Sequence, residues 1–313
     1  MLKIDRILMD YEEMQVGITH MPQFGWILES DKRNVIQDWY ELEIALDAGF
    51  RSSIYASGQV KSSQSAQVEV NGAELRSMTR YYVRVRAAAG EDVTDWAGTQ
   101  FVTGLMDNRE WQAQFITAEK EEDIVKSKGT YVRKQISLRG RVKEAFACTT
   151  ALGLYQLYIN GKKVGEDELT PGWTSYNKHL CYQTYDVTAY LQEGANALGA
   201  SLAAGWFKGL VGFKGLGRRR NHYGDYSAFL LQMVVRYEDG SEEVFVTDAS
   251  WMGTESPVIF AEIYDGEIYD ARREIWGWAE AGQVSGDWGP VKTVSYDMQV
   301  LEGQGNGRVA EIE

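Results

Sequence analysis

An all-β fold divided between two domains is predicted for this chain by its turn signals, its hydrophobic periodicity and its length. Turn dipeptides recur at short intervals, at Ser57-Gly58, Asn71-Gly72, Asn160-Gly161, Glu193-Gly194 and Asp239-Gly240, and such pairs favour the chain reversals of hairpins. Between them apolar and polar residues alternate: Tyr81, Val83 and Val85 against Tyr82, Arg84 and Arg86, and Tyr155, Leu157 and Ile159 against Leu154, Gln156 and Tyr158. A period of two marks half-buried strands. Segments of helical period are scarce, and the one helix expected is a short one within Trp111 to Ser127. At 313 residues the chain is long enough for two domains of ordinary size.

The N-terminal stretch Met1 to Asp10 lacks the uninterrupted apolar core of a signal peptide, and no run reaches the roughly 20 apolar residues of a membrane span. A cytoplasmic protein without membrane contact is expected. In the first hundred residues, Leu75-Arg-Ser-Met-Thr-Arg-Tyr81 leads into a strand pattern ending at Arg86, and Asp95-Trp96 precedes Phe101-Val-Thr-Gly104. This arrangement resembles a fibronectin type III module. The resemblance implies a corner built by Leu75 and Tyr81, in which the phenol hydroxyl bonds back to the backbone, and a spacer or packing role without chemistry.

Near Leu105-Met-Asp-Asn-Arg-Glu110 charge rises and the strand pattern breaks, which sets the domains at 1–106 and 107–313. The second carries Tyr158-Ile-Asn-Gly-Lys162, Pro171-Gly-Trp173, Tyr182-Gln-Thr-Tyr-Asp-Val-Thr188, Gly194-Ala-Asn-Ala-Leu-Gly199, Gly205-Trp206 and Tyr264-Asp-Gly-Glu-Ile-Tyr-Asp-Ala-Arg272. Together these resemble the N-terminal, non-catalytic part of bacterial α-L-rhamnosidases of glycoside hydrolase family 78. The resemblance implies a jelly-roll β-sandwich, a place beside a helical catalytic barrel absent from this sequence, and a parent enzyme acting on rhamnose-containing glycans. The polar, glycine-rich tail Leu301 to Glu313 is expected to be a linker.

Composition narrows the partners. The net charge of −13 argues against nucleic acid, whose phosphates call for an excess of lysine and arginine. Ten tryptophans and eighteen tyrosines can offer flat faces to the C–H faces of sugars, although sandwich cores also consume large aromatics. Cys148 and Cys181 form no C-x-x-C pair and are expected to be buried thiols.

Glu262, Asp265, Glu267 and Asp270 are the local carboxylate candidates. Asp265 and Glu267, two apart on one strand, would share a face at roughly 6.5–7 Å, within reach of the separation in an inverting glycosidase. Acid and base must, however, approach a glycosidic bond from opposite sides, so pairing with Arg272 and Arg273 or accepting backbone N–H bonds at a sheet corner is the expected role, cation binding a second, and no catalytic residue is assigned. The family's sugar-binding members, carbohydrate-binding module family 67, hold rhamnose in loops at one end of the sandwich through aspartate, asparagine and tryptophan side chains, with a bridging calcium ion. By type and approximate position the resemblance assigns sugar binding to Asn177, Trp206, Asn221 and Asp225, with Asp225 as a calcium ligand. Trp173-Thr-Ser-Tyr-Asn177 supplies no carboxylate to that ion, and Trp206 reads equally as a core residue. A purely structural module that binds no sugar is the alternative.

Other chemistries find no support. Gly212-Phe-Lys-Gly-Leu-Gly217 lacks the order and the setting of a dinucleotide loop, and His20, His179 and His222 are too scattered for zinc. No serine stands in a nucleophile elbow. Arg218-Arg-Arg220 reads as a solvated loop tip or, less readily, as an anion site.

Overall fold

The computed structural model describes residues 1–13, 15–123, 125–212, 217–304 and 309–310. The chain separates into two compact units, Met1–Asp107 and Asn108–Glu313, and both are built of strands.

In the first unit, strands Leu2–Met9 and Phe24–Ser30 pair antiparallel. They face a larger sheet in which Gln15–Ile18, Ala97–Thr103, Arg80–Ala89, Trp39–Ala45 and Ser53–Ala56 follow one another. The alternation at Arg80–Ala89 explains why the two layers stick. Tyr81, Val83 and Val85 point into a core shared with Phe24, Trp26, Leu42, Ile44 and Phe101. The intervening arginines face outward and meet the next strand's acids: Glu43 stands opposite Arg84 and Glu41 opposite Arg86, and each pair is bridged, at 2.6 and 2.8 Å. Trp96 covers both guanidinium groups, at 4.4 and 4.8 Å from its ring, which adds a cation–π term to cross-strand ion pairs of modest individual worth.

Ahead of this strand the Arg76 N–H donates to Tyr81 Oη at 2.7 Å. Tyr81 is buried and stacks on Phe101 at 5.2 Å, while Leu75 lies partly buried against the same core.

The second unit is a sandwich of two sheets. One runs in the order Lys292–Val294, Phe115–Thr117, Ala228–Tyr237, Val142–Leu152, Leu180–Asp186, Leu301–Gly303. The other runs Lys162–Lys163, Leu154–Ile159, Gly194–Ala203, Thr130–Leu138, Met252–Glu255, Gly289–Pro290. Val142–Leu152 is buried from Ala145 onward, and its two polar residues there, Thr149 and Thr150, donate their hydroxyls to Leu230 O and Cys181 O. Tyr155, Leu157 and Ile159 pack with Ala147, Phe229 and Trp251 in the shared core. A separate hairpin, Val258–Glu262 with Gly266–Tyr269, lies outside both sheets.

Several expectations are corrected. Between Trp111 and Ser127 the described residues form the strand Phe115–Thr117 and the 3₁₀ turn Glu121–Asp123, with no α-helix; burial of Phe115, Ile116 and Thr117 on the sheet outweighs the helical spacing. Of the five turn dipeptides, Asn160-Gly161 and Asp239-Gly240 close hairpins. At the first, φ of 50° and 79° match a two-residue primed turn. Ser57-Gly58 instead separates two strands that both pair with Trp39–Ala45. Glu193-Gly194 joins opposite layers, and Asn71-Gly72 follows a stretch that forms an isolated bridge, Val68 with Phe24, in place of a strand. A dipeptide sets the local reversal, and the buried faces decide which strands pair. Cys148 is buried as expected, but Cys181 is only partly buried, and that burial raises its thiol pKa. The expected linker begins as a strand, Leu301–Gly303, parallel to Leu180–Tyr182; residues 305–308 and 311–313 of that tail, and 213–216 of the glycine-rich stretch, lie outside the described residues.

Candidate functional site

Strand Gly194–Ala203 ends in a single helical turn, Gly205–Lys208. Gly205 has φ of +53°, and a Cβ there would stand 2.7 Å from Leu154 Cγ, so the turn needs glycine. Its residues diverge: Trp206 is half-buried, while Phe207 and Lys208 are buried. Phe207 meets Tyr176, Tyr223 and Tyr296, with centroids 5.4, 6.3 and 6.0 Å away. Tyr176 Oη donates to Gly172 O at 2.8 Å and Tyr296 Oη to Tyr176 O at 2.7 Å. These contacts fasten the loop from Leu169 to His179 onto the helical turn.

The fastening sets Trp173 against Trp206, with ring planes 4° apart and centroids at 5.7 Å. This is an offset stack. Trp173 remains 52 % exposed. The pair lines a groove of 290 Å³ with Asp167, Thr174, Cys181 and Gln304. A pyranose held between two indoles needs two contact distances of about 3.5–4 Å each. The spacing here excludes that, and a sugar would lie against the free face and edge of the pair.

Asn221 adopts φ of 56°. Its N–H donates to Lys208 O at 2.8 Å and its Nδ2 to Asp225 Oδ1 at 3.2 Å. Asp225 and Asn177 are exposed. Asn177 follows Tyr176, whose ring touches Tyr223 at 4.9 Å, so the loops bearing Asn177, Asn221 and Asp225 are adjacent. Of the four residues expected in a sugar site, only Trp206 lines the groove; Asn221 is joined to Asp225, and Asn177 stands outside. Trp173 lines the groove although the resemblance assigns it no sugar contact. Two tryptophans 33 positions apart carry no mutual signal until both loops close on Phe207. Among the described residues no three histidine, cysteine, aspartate or glutamate side chains gather as a metal site.

The acidic segment is engaged elsewhere. Asp265 does not share a strand face with Glu267: it lies in the turn between Val258–Glu262 and Gly266–Tyr269, and Arg218 grips it in a two-armed ion pair, at 3.0 and 2.6 Å. That pairing raises the Arg218 pKa. Glu262 is buried, accepts from Leu210 N at 2.7 Å, pairs with Arg220 at 2.8 Å and accepts from the Ser127 hydroxyl. Arg218 and Arg220 therefore do not form a solvated tip; their side chains are only 11 % and 19 % exposed because two carboxylates draw them in. Asp270 caps the 3₁₀ turn Ala271–Arg273 and pairs with Arg272 and Arg273, and the Arg272 hydrogen bonds hold its carboxyl at about 2. His20 and His179 sit beside Asp10 and Glu302, at 3.0 and 2.7 Å, and His222 lies edge-on to Tyr223.

Residues 140–313 match the family model of the α-L-rhamnosidase N-terminal domain, and residues 4–107 match that of a Rha78A-like N-terminal immunoglobulin domain. The chain is similar to an α-L-rhamnosidase of Formosa agariphila, at 29 % identity over 97 % of this chain and 35 % of that protein. It is also similar to one of Alteromonas sp. strain LOR, at 32 % identity over 87 % and 31 %. Among solved structures it resembles native α-L-rhamnosidase from Aspergillus terreus, with a TM-score of 0.88, 31 % identity and coverage of 96 % of this chain and 35 % of that one. The fold also matches Streptomyces avermitilis α-L-rhamnosidase complexed with L-rhamnose, with a TM-score of 0.87, 22 % identity and coverage of 100 % and 47 %. The chain thus spans about a third of the length of the curated relatives it matches.

Proposed function

The chain belongs to the α-L-rhamnosidase N-terminal domain family, and from that premise we propose that it is the accessory, sugar-holding part of an enzyme that removes terminal rhamnose from glycans. The observation that carries this reading is the Trp173–Trp206 stack over its groove. Rhamnose has a methyl group and C–H faces that gain by leaving water against an indole, while its hydroxyls require polar partners at the rim. Trp206 and Trp173 would supply the platform, and Asn177, Asn221 and Asp225 the hydrogen bonds from neighbouring loops. Calcium, which takes six to eight oxygens, would have to draw on Asp225, the Asn221 amide and backbone carbonyls; a chelator that weakens sugar binding would support its participation. Calorimetry of the chain with L-rhamnose tests the reading, which stands if wild-type protein gives saturable heat and falls if it gives none.

A structural module docking on the rest of a rhamnosidase is the second reading. It is favoured by the hairpin Val258–Tyr269, where Ile268 and Tyr269 are 54 % and 49 % exposed, and by Trp276 at 83 %. Apolar side chains this exposed on a two-stranded ribbon suit a covering partner. Saturable rhamnose binding separates the first reading from this one.

A further inference from the structure

Residues 117–120, 123, 126, 128 and 130, the strand Met252–Glu255 and residues 287–292 enclose a cleft of 470 Å³, distinct from the tryptophan groove. The two meet at one helical turn, since Trp206 lines the groove and Lys208 the cleft. At the cleft Lys208 forms an ion pair with Glu119, the side chains being 0 % and 3 % exposed, and its Nζ donates to Asp123 O at 3.1 Å. The other carboxylates are also matched. Asp123 takes Lys126 and Lys128 at 3.0 and 3.1 Å, and Glu255 takes Lys128 and Arg273 at 2.7 and 3.3 Å.

What remains decides the chemistry. Lys120 and Lys292 line the cleft and are exposed, and neither forms an ion pair among the described residues; Asp287 is the acid left over. One positive charge is therefore in excess, in a chain whose net charge is −13. Thr130 Oγ1, in a residue 3 % exposed, has no hydrogen-bond partner among the described residues. A buried hydroxyl without a partner costs free energy that a ligand can recover.

We propose that this cleft is a second carbohydrate site, specific for a singly charged acidic sugar such as a uronate. The carboxylate is met by Lys120 and Lys292, and a ring hydroxyl by Thr130. A cation is disfavoured because Glu119, Asp123 and Glu255 are already spent on lysines and the remaining acid, Asp287, is outnumbered by Lys120 and Lys292. A doubly charged phosphate exceeds the single spare charge and leaves most of the volume unfilled. The proposal is independent of rhamnose binding at Trp206.

Titration of the whole chain with D-galacturonate at low salt, with D-galactose and inorganic phosphate as comparisons, provides the test. Saturable binding of galacturonate is expected, weakened about tenfold or more in the double variant Lys120→Gln/Lys292→Gln, because charge-assisted bonds carry the recognition. Both lysines are exposed, so melting should not change. Thr130→Val should weaken binding several-fold, and Trp206→Ala should leave it intact. Absent binding by the wild type, equal affinity for galactose, tighter binding of phosphate or an unaffected double variant would each overturn the proposal.

Discussion

Trp173 and Trp206 lie parallel and in contact, one on an exposed loop and the other on a helical turn leaving the sandwich core. Neither indole alone makes a groove, and the pair presents a flat face that a small sugar can cover.

Rhamnose binding at this face should be weak. A monosaccharide exchanges water for protein at most of its hydroxyls, leaving about 4–5.5 kcal/mol, a dissociation constant of order 0.1–1 mM. Trp206→Ala should abolish detectable heat, and Trp173→Ala should weaken binding by removing the partner that holds Trp206 in place. Wild-type affinity in Trp206→Ala would remove this groove from consideration.

The Lys208–Glu119 pair should be costly to break on one side. Lys208→Met leaves a buried carboxylate without its cation, a loss of about 3–5 kcal/mol, whereas Lys208→Met/Glu119→Leu should recover much of it. Burial already raises the Glu119 pKa. A folded-state pKa above the unfolded one means that stability falls as pH rises through that interval, so Lys208→Met should regain stability on acidification. Denaturant titrations at two pH values check both statements.

Acid should act in the opposite sense at Asp270, whose carboxyl the Arg272 hydrogen bonds and the neighbouring positive charges lower from 3.8 to about 2. A depressed folded-state pKa contributes stability present above the unfolded value and lost as pH falls through the folded one. Wild type should therefore lose stability between about pH 4 and pH 2 more steeply than Asp270→Asn. Superimposable pH profiles would count against it.

In the first unit, Tyr81→Phe should cost about 1 kcal/mol through the lost bond to the Arg76 N–H. Leu75→Ala should cost about 1–2 kcal/mol, less than for a fully buried leucine, because Leu75 is only partly covered. Rhamnose affinity should be untouched. Thermal melts unchanged in both variants would refute the role of this corner.

Hydrolysis of an aryl α-L-rhamnoside by this chain alone is not expected. Glu262, Asp265 and Asp270 are held by arginines and Glu267 is exposed on a hairpin, whereas glycoside hydrolysis calls for two available carboxyl groups on either side of the scissile bond. Turnover that survives repurification and vanishes in Asp265→Asn would show otherwise.

The strands were legible because alternation is local: Tyr81, Val83 and Val85 and then Tyr155, Leu157 and Ile159 declare a buried face within one short segment, and the sheets bury those faces. Family membership was legible for a related reason, since Pro171-Gly-Trp173, Gly205-Trp206 and Tyr264 to Arg272 are short contiguous strings. Trp173 and Trp206 could each be singled out beside their glycines, but not their stacking on one another.

By itself, then, the sequence determined the all-β class, the strand faces and the family, all of which are written in neighbouring residues. Tertiary structure alone decided which turns became hairpins, that Arg218 and Arg220 turn inward to Asp265 and Glu262, and that Lys208 meets Glu119 from 89 positions away. The physical reason is that a site is a meeting of loops. Charge pairing and aromatic stacking act over a few ångströms in space, and periodicity along the chain carries no record of which distant side chains the closing of the sandwich brings within that range.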